Sequence, residues 1–268
     1  MGSETKGPMW FSSRADKRWS EKFFLLYAPF WIGVMAVIVA TGVYESMGDW
    51  EYLYVGLVCS IPAVVLPFLL APDAQTAATA WKSNVWIFCL AFVGNFLWTH
   101  YFYTQLGAKY TFQMEHRLND VPLTCYLLTQ PYFLMYHTVA TLALRRIKTS
   151  TSMSGATKLV VTVIAVCLMS YITAVMEAVT ISAFPHYSFA DFRTAVVVGS
   201  WLYALYFIVS YPMYARLDEP HWKTLTTFET AVDSLGATMI VTILLEVWRI
   251  AIGPIFGGST TDGPPFVK

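Results

Sequence analysis

The sequence predicts an all-α polytopic membrane protein with seven transmembrane helices, its N-terminus cytosolic and its C-terminus lumenal. Three observations carry that expectation. The 268 residues are 56% hydrophobic and only 13% charged, apolar runs of membrane-spanning length recur along the chain, and lysine and arginine fall unevenly between those runs. A soluble core could not hide so much apolar surface.

A hydrocarbon core takes about 20 apolar residues per helix. Runs of that length are expected at 23–44, 52–71, 85–104, 123–143, 159–181, 194–215 and 231–252. Pro29, Pro62, Pro67, Pro131 and Pro212 lie inside them and predict kinks, because neighbouring helices and water can satisfy the carbonyls that proline frees. With the N-terminus inside, twelve of the 17 lysines and arginines fall on the cytosolic side: Lys6, Arg14, Lys17, Arg18, Lys22, Lys82, Arg145, Arg146, Lys148, Lys158, Arg216 and Lys223. Lys109, Arg117, Arg193, Arg249 and Lys268 fall opposite, and Glu45, Asp49 and Glu51 make the first non-cytosolic turn acidic. One membrane domain is expected, with residues 1–22 as a cytosolic segment, 23–252 as the bundle and 253–268 as a disordered lumenal tail. Residues before the first run lack the layout of a cleaved secretory signal, so span one is read as its own insertion signal. The loop from Gly107 to Pro122 mixes charges with aromatics and is expected to fold back over a lumen-facing pocket.

Composition also excludes. Formal net charge is zero, which gives no electrostatic case for nucleic acid. Cys59, Cys89, Cys125 and Cys167 lie in or beside apolar runs without C-x-x-C spacing, and read as small buried hydrophobes. No GxGxxG, Walker or Cys/His metal pattern occurs, so no cofactor or metal is expected.

Ionisable groups at membrane depth cost several kcal/mol unless paired or hydrated, and each is a functional candidate. Ser170, Thr173 and Glu177 form a polar stripe at helical spacing. A carboxyl buried there keeps its proton and is a poised general acid, or else it hydrogen-bonds a neighbouring helix. Asp233 and Glu246 share the last span but stand about 20 Å apart at 1.5 Å per residue. Glu246 has Arg249 three residues on, which offers an ion pair as the alternative to chemistry. Asp233 either caps its helix, meets a headgroup-level base or touches substrate. His137 lies on a face with Tyr126, Gln130 and Thr141, where an intramembrane histidine is often a strut. Span three offers Asn95, Trp98, Thr99, His100 and Tyr101, of which the last two can be interfacial anchors. Under this topology Asn95, His100, Glu177 and Glu246 share the lumenal half, the preferred reaction centre.

Several blocks are familiar as well. KRWSEKFFLLYAPFW (17–31), GNFLWTHYFYTQLGAKYTF (94–112), NDVPLT (119–124), YHTVATLALRR (136–146), YFIVSYPMYARLDE (206–219) and AVDSLGATMIVTILLEVWR (231–249) resemble, in the same order, the cycloeucalenol cycloisomerase family of cyclopropyl sterol isomerases. Two departures stand out: PDAQTAATAWKSN is shorter and less basic than expected of plant members, and Glu246 replaces an expected aspartate, keeping a carboxyl. The resemblance implies an endoplasmic-reticulum intramolecular lyase that opens the 9β,19-cyclopropane ring of a 4α-methyl sterol drawn from the bilayer, converting cycloeucalenol to obtusifoliol. One proton enters at the cyclopropane methylene and one leaves the carbon beside the resulting cation. That chemistry favours Glu177 or Glu246 as the acid, with His100 or Asn95 positioning it, and Trp98, Tyr101 and Phe102 facing the cation. Asn95, His137 and Asp120 are alternatives for the sterol 3-hydroxyl. Another double-bond-shifting sterol isomerase is the nearest competing enzyme. A receptor conflicts with the charge bias, a retinal protein needs a lysine that 231–252 lacks, and a transporter lacks visible repeats.

Overall fold

The computed structural model describes residues 7–111, 114–182, 184, 186–253 and 255. Lys6 and nearly all of the expected tail, 254 and 256–268, lie outside them. Among the described residues the long helices are α1 (Ala15–Thr41), α2 (Asp49–Leu70), α3 (Ala74–Leu106), α4 (Leu123–Lys148), α5 (Gly155–Ser182), α6 (Phe192–Tyr214) and α7 (Thr227–Ala251). All five prolines singled out above are inside helices that continue through them. Gly42 stops α1 with a left-handed φ of 68°, a conformation glycine adopts without the steric penalty of a Cβ.

Six of these helices are long and apolar enough to cross a membrane; α4 is long enough but not apolar enough. Its place in the bundle accounts for that difference from the expected count. α4 packs against α1, α2, α3, α5 and α6, so Gln130, His137, Thr138, Thr141 and Arg145 are buried against protein. A helix walled by other helices has no need of a lipid-compatible surface.

Two boundaries differ from the sequence expectation for one reason. The stretch 72–84, read as a connection, folds as the first turns of α3: the Asp73 carboxylate accepts the Thr76 amide at 2.7 Å, capping the helix ahead of its apolar run. Likewise α1 begins at Ala15, before the apolar run starts. The extra turns carry Lys17, Glu21 and Lys82 into the bundle, where opposite charges meet them. Arg145 bridges Glu21 and Glu219, Lys17 pairs with Glu219 at 3.0 Å, and Lys82 pairs with Asp218 at 2.6 Å. Burial of these charges is tolerable because each is paired and hydrogen-bonded.

At the opposite end, short strands close the bundle. β1 (Lys109–Tyr110) pairs antiparallel with β4 (Tyr187–Ser188), and β2 (Arg117–Leu118) with β3 (Val121–Pro122). Asn119 and Asp120 make the tight turn of that hairpin with φ of 50° and 64°, and the Asn119 amide donates to the Phe96 carbonyl of α3. The segment from Gly107 to Pro122 thus returns over the helix ends, with 112–113 outside the described residues.

Candidate active site

The chemistry-bearing residues gather where α5 meets α4 and α6. α5 turns Val166, Ser170, Ala174 and Glu177 inward at steps of three and four residues, while its other faces are largely exposed. Glu177 ends that stripe. Its Oε2 is cut off from solvent and has no hydrogen-bond partner among the described residues. The Tyr203 hydroxyl interacts electrostatically with the same carboxyl. Tyr132 and Tyr136 of α4, Tyr206 and Tyr211 of α6, and Tyr187 of β4 lie within its electrostatic range.

The rings form a continuous wall. Tyr203 meets Tyr206 edge-on at 4.8 Å, Tyr206 lies 4.4 Å from Trp98, Phe102 lies 5.1 Å from Tyr203, and Tyr132 lies 4.3 Å from Trp31. The Tyr206 hydroxyl and the Ser170 Oγ, like Glu177 Oε2, are buried without partners among the described residues. Unclaimed polar atoms are expensive where no water reaches, and several around one carboxyl mark a place a polar ligand or water can occupy.

Helix irregularities aim the wall. α3 contains one π-helical turn at Gly94–Trp98, and α6 another at Ala195–Gly199; such turns insert a residue and recur at functional sites. The Asn95 amide donates to Ala91 O at 2.9 Å and to Thr129 Oγ1 at 3.0 Å, fastening the first π turn to α4. Trp98 Nε1 donates to Thr242 Oγ1 of α7 at 2.9 Å, which holds the indole against Tyr206. In the second π turn, a Cβ on Gly199 would come within 2.8 Å of the Leu106 methyls, so a side chain there would have to displace Leu106 where α6 approaches α3.

The other candidates are placed differently. Tyr101 donates to Glu246 Oε2 at 2.9 Å, and Glu246 is ion-paired with Arg249, whose Nε lies 3.0 Å from Oε2. His137 is fully buried, with Nδ1 2.8 Å from Phe133 O and Nε2 2.8 Å from Ser210 Oγ. Asp233 is paired with Arg216 and accepts Trp86 Nε1 at 3.0 Å. His100 is buried beside Tyr103, ring centroids 5.5 Å apart, and the Asp120 carbonyl accepts Arg117 at 3.1 Å in the β2–β3 turn. Trp98, Tyr101 and Glu177 therefore converge on Tyr206, His137 borders them through Tyr211, 5.0 Å away, and Asp120 and Asp233 belong to other neighbourhoods.

Sequence reasoning passed over Tyr132, Tyr136, Tyr203, Tyr206 and Tyr211. Their three-, four- and five-residue spacings were the available signal, hidden among 16 tyrosines, 18 phenylalanines and 10 tryptophans.

Comparison with known proteins settles the family. A cycloeucalenol cycloisomerase of Arabidopsis thaliana is 39% identical over 263 residues, covering 95% of this chain and 93% of the relative. The chain belongs to the cycloeucalenol cycloisomerase family. No family model and no solved structure matches it. For a cycloeucalenol cycloisomerase family member, an isomerase by class, the near-complete coverage means that the kinship concerns the whole bundle, not a fragment of it.

Proposed function

We propose that this protein opens the cyclopropane ring of cycloeucalenol to give obtusifoliol, with Glu177 as the acid, in the endoplasmic reticulum membrane. The observation that carries the choice of acid is the unpartnered Glu177 carboxyl oxygen enclosed by tyrosines. Asp233 and Glu246 are each ion-paired with an arginine, so their carboxyl oxygens are already engaged, unlike Glu177 Oε2. The Glu177 proton goes to the cyclopropane methylene, the electrons of the breaking ring bond form the new C–H bond, and a cation remains at the ring-fusion carbon. The adjacent carbon then gives its proton to the Glu177 carboxylate left by the first step, directly or through water, which forms the alkene and restores the acid. Each well-placed aromatic ring stabilises such a cation by about 0.5–2 kcal/mol, and the wall of Tyr203, Tyr206 and Trp98 offers several. Tyr101, hydrogen-bonded to Glu246, extends that wall toward α7.

The seven-span topology is part of the same reading. α4 crosses the membrane inside the bundle, shielded by its neighbours, and the end of the molecule bearing Arg145 is cytosolic by charge bias.

In deuterated water, membranes containing the protein should convert cycloeucalenol to obtusifoliol carrying one deuterium in the new methyl group; unlabelled product rejects a solvent-exchangeable acid. Glu177→Gln should lower kcat by roughly a hundred-fold or more with membrane insertion intact. Near-normal turnover by that variant removes Glu177 as the donor.

A further inference from the structure

α4 is buried on nearly every side, yet across its middle turns Tyr132, Met135, Tyr136 and Val139 are not, with Val139 49% exposed. Their spacing of three, one and three places them on one face. Tyr132 touches Trp31 of α1 on one flank of that face, and Tyr136 lies in the electrostatic range of Glu177 of α5 on the other. α1 and α5 both pack on α4 but make at most marginal contact with each other, which leaves a furrow between them, floored by the α4 stripe.

The furrow has closed ends. At one, Tyr44 meets Phe184 at 5.1 Å and His186 at 6.0 Å, joining the chain after α1 to the chain after α5. At the other, the segment preceding α1 is held to the end of α4: Thr149 Oγ1 accepts the Met9 amide at 2.9 Å, and Arg146 lies over Trp10 at 5.5 Å. Between these ends Val139 is exposed along the long side of the furrow. One further polar atom is unclaimed there. Trp31 is 5% exposed, and its Nε1 has no hydrogen-bond partner among the described residues.

We propose that the sterol enters sideways from the bilayer into this furrow between α1 and α5, and that Trp31 Nε1 donates a hydrogen bond to its 3-hydroxyl oxygen. The proposal rests on Glu177 being the acid, since it places the two ends of the reacting half of the sterol on the two unclaimed groups that flank Tyr132. A buried N–H without an acceptor is costly, and a bound hydroxyl offsets that cost only when the substrate is in place. An apolar ring system suits the remaining surface of tyrosine, methionine and valine.

The test compares cycloeucalenol with its 3-deoxy analogue in full-length wild type and Trp31→Phe, both in membranes. Trp31→Phe keeps an aromatic ring against Tyr132 and removes the donor, and the 3-deoxy sterol controls for the volume lost with the indole. KM for cycloeucalenol should rise roughly ten-fold, the value of one buried hydrogen bond, with kcat within two-fold and KM for the 3-deoxy analogue unchanged. Equal losses on both sterols, or no change on either, overturn the role of Trp31. A photoactivatable sterol bearing a diazirine on its B ring, applied to the unmodified protein, should label α4 or α5 near Tyr132, Tyr136 or Glu177 and be displaced by cycloeucalenol. Displaceable labelling confined to α2, α3 or α7 overturns the furrow, while loss of turnover in Glu177→Gln with retained sterol labelling leaves the acid and the binding place separately tested.

Discussion

Two glutamates at similar depth have opposite surroundings, and the difference decides what each can do. A lone carboxyl among hydrocarbon side chains is cheapest when neutral, whereas one against a guanidinium is cheapest when charged. Glu246, bonded to Arg249 and Tyr101, is of the second kind. Its replacement by glutamine removes the ion pair that Glu246 makes with Arg249, a guanidinium only 7% exposed. We expect Glu246→Gln to cost about 1–3 kcal/mol of stability, discounted for the partial exposure of the glutamate, read as a lower unfolding temperature in detergent micelles, with kcat reduced less than ten-fold. Adding Arg249→Leu should cost less than the sum of the two single changes, because both act through the same ion pair. A collapse of kcat with an unchanged unfolding temperature would instead move the acid to α7. Glu177 was legible in the sequence because carboxyls are rare in apolar runs. The tyrosines around it were not, because aromatic residues are common throughout this chain and only packing decides which of them turn inward.

At the scale of elements, the apolar runs gave away the helices, but the charged ends of α1 and α3 did not look helical until their partners were known. Lys17 on α1, Lys82 on α3 and Arg145 on α4 are matched by Asp218 and Glu219, which follow α6, and Arg145 also takes Glu21 of α1. Lys17 and Glu219 pair across nearly the whole described chain, so no local pattern announces the cluster. The π turns escaped for a related reason: an inserted residue is fixed by tertiary bonds such as Asn95 to Thr129, not by a propensity. The cluster should be felt in acid. Burial alone would raise the Glu219 carboxyl, but hydrogen bonds from Arg145 and the charge of Lys17 outweigh it and hold the group below the usual carboxylate range. A depressed folded-state value contributes stability that is complete above the ordinary value, near 4.5, and is lost as pH falls through the lowered one. Unfolding temperature should therefore fall as pH drops below that value, and Glu219→Gln should flatten this dependence while starting from a lower temperature at neutral pH. An unchanged acid profile in the variant would assign the sensitivity to other carboxyls.

For the whole molecule, the central position of α4 bears on how the chain threads the membrane. Hydropathy recognises helices by the surface they show to lipid, and α4 shows little, since five other helices surround it. If α4 crosses, the chain crosses an odd number of times and its two ends lie on opposite sides. If α4 were only a peripheral segment, an even number would put them together. The bundle itself argues for crossing: α4 spans from the β2–β3 hairpin at one end to the Glu21–Arg145–Glu219 cluster at the other, the same two ends that α1, α3 and α6 connect. Its 26 residues reach about 39 Å at 1.5 Å per residue, enough for a hydrocarbon core of about 30 Å. Basic residues reinforce the assignment, because Lys17, Lys82, Arg145, Arg146 and Arg216 all gather at the cluster end, the side expected to face the cytosol. Glycosylation acceptor sites fused separately to the two termini should therefore report opposite sides in microsomes, with only the C-terminal one glycosylated and an N-terminal epitope open to added protease. Modification of both or of neither would remove α4 from the spanning set, and with it the shielded helix on which Tyr132 and Tyr136 face Glu177.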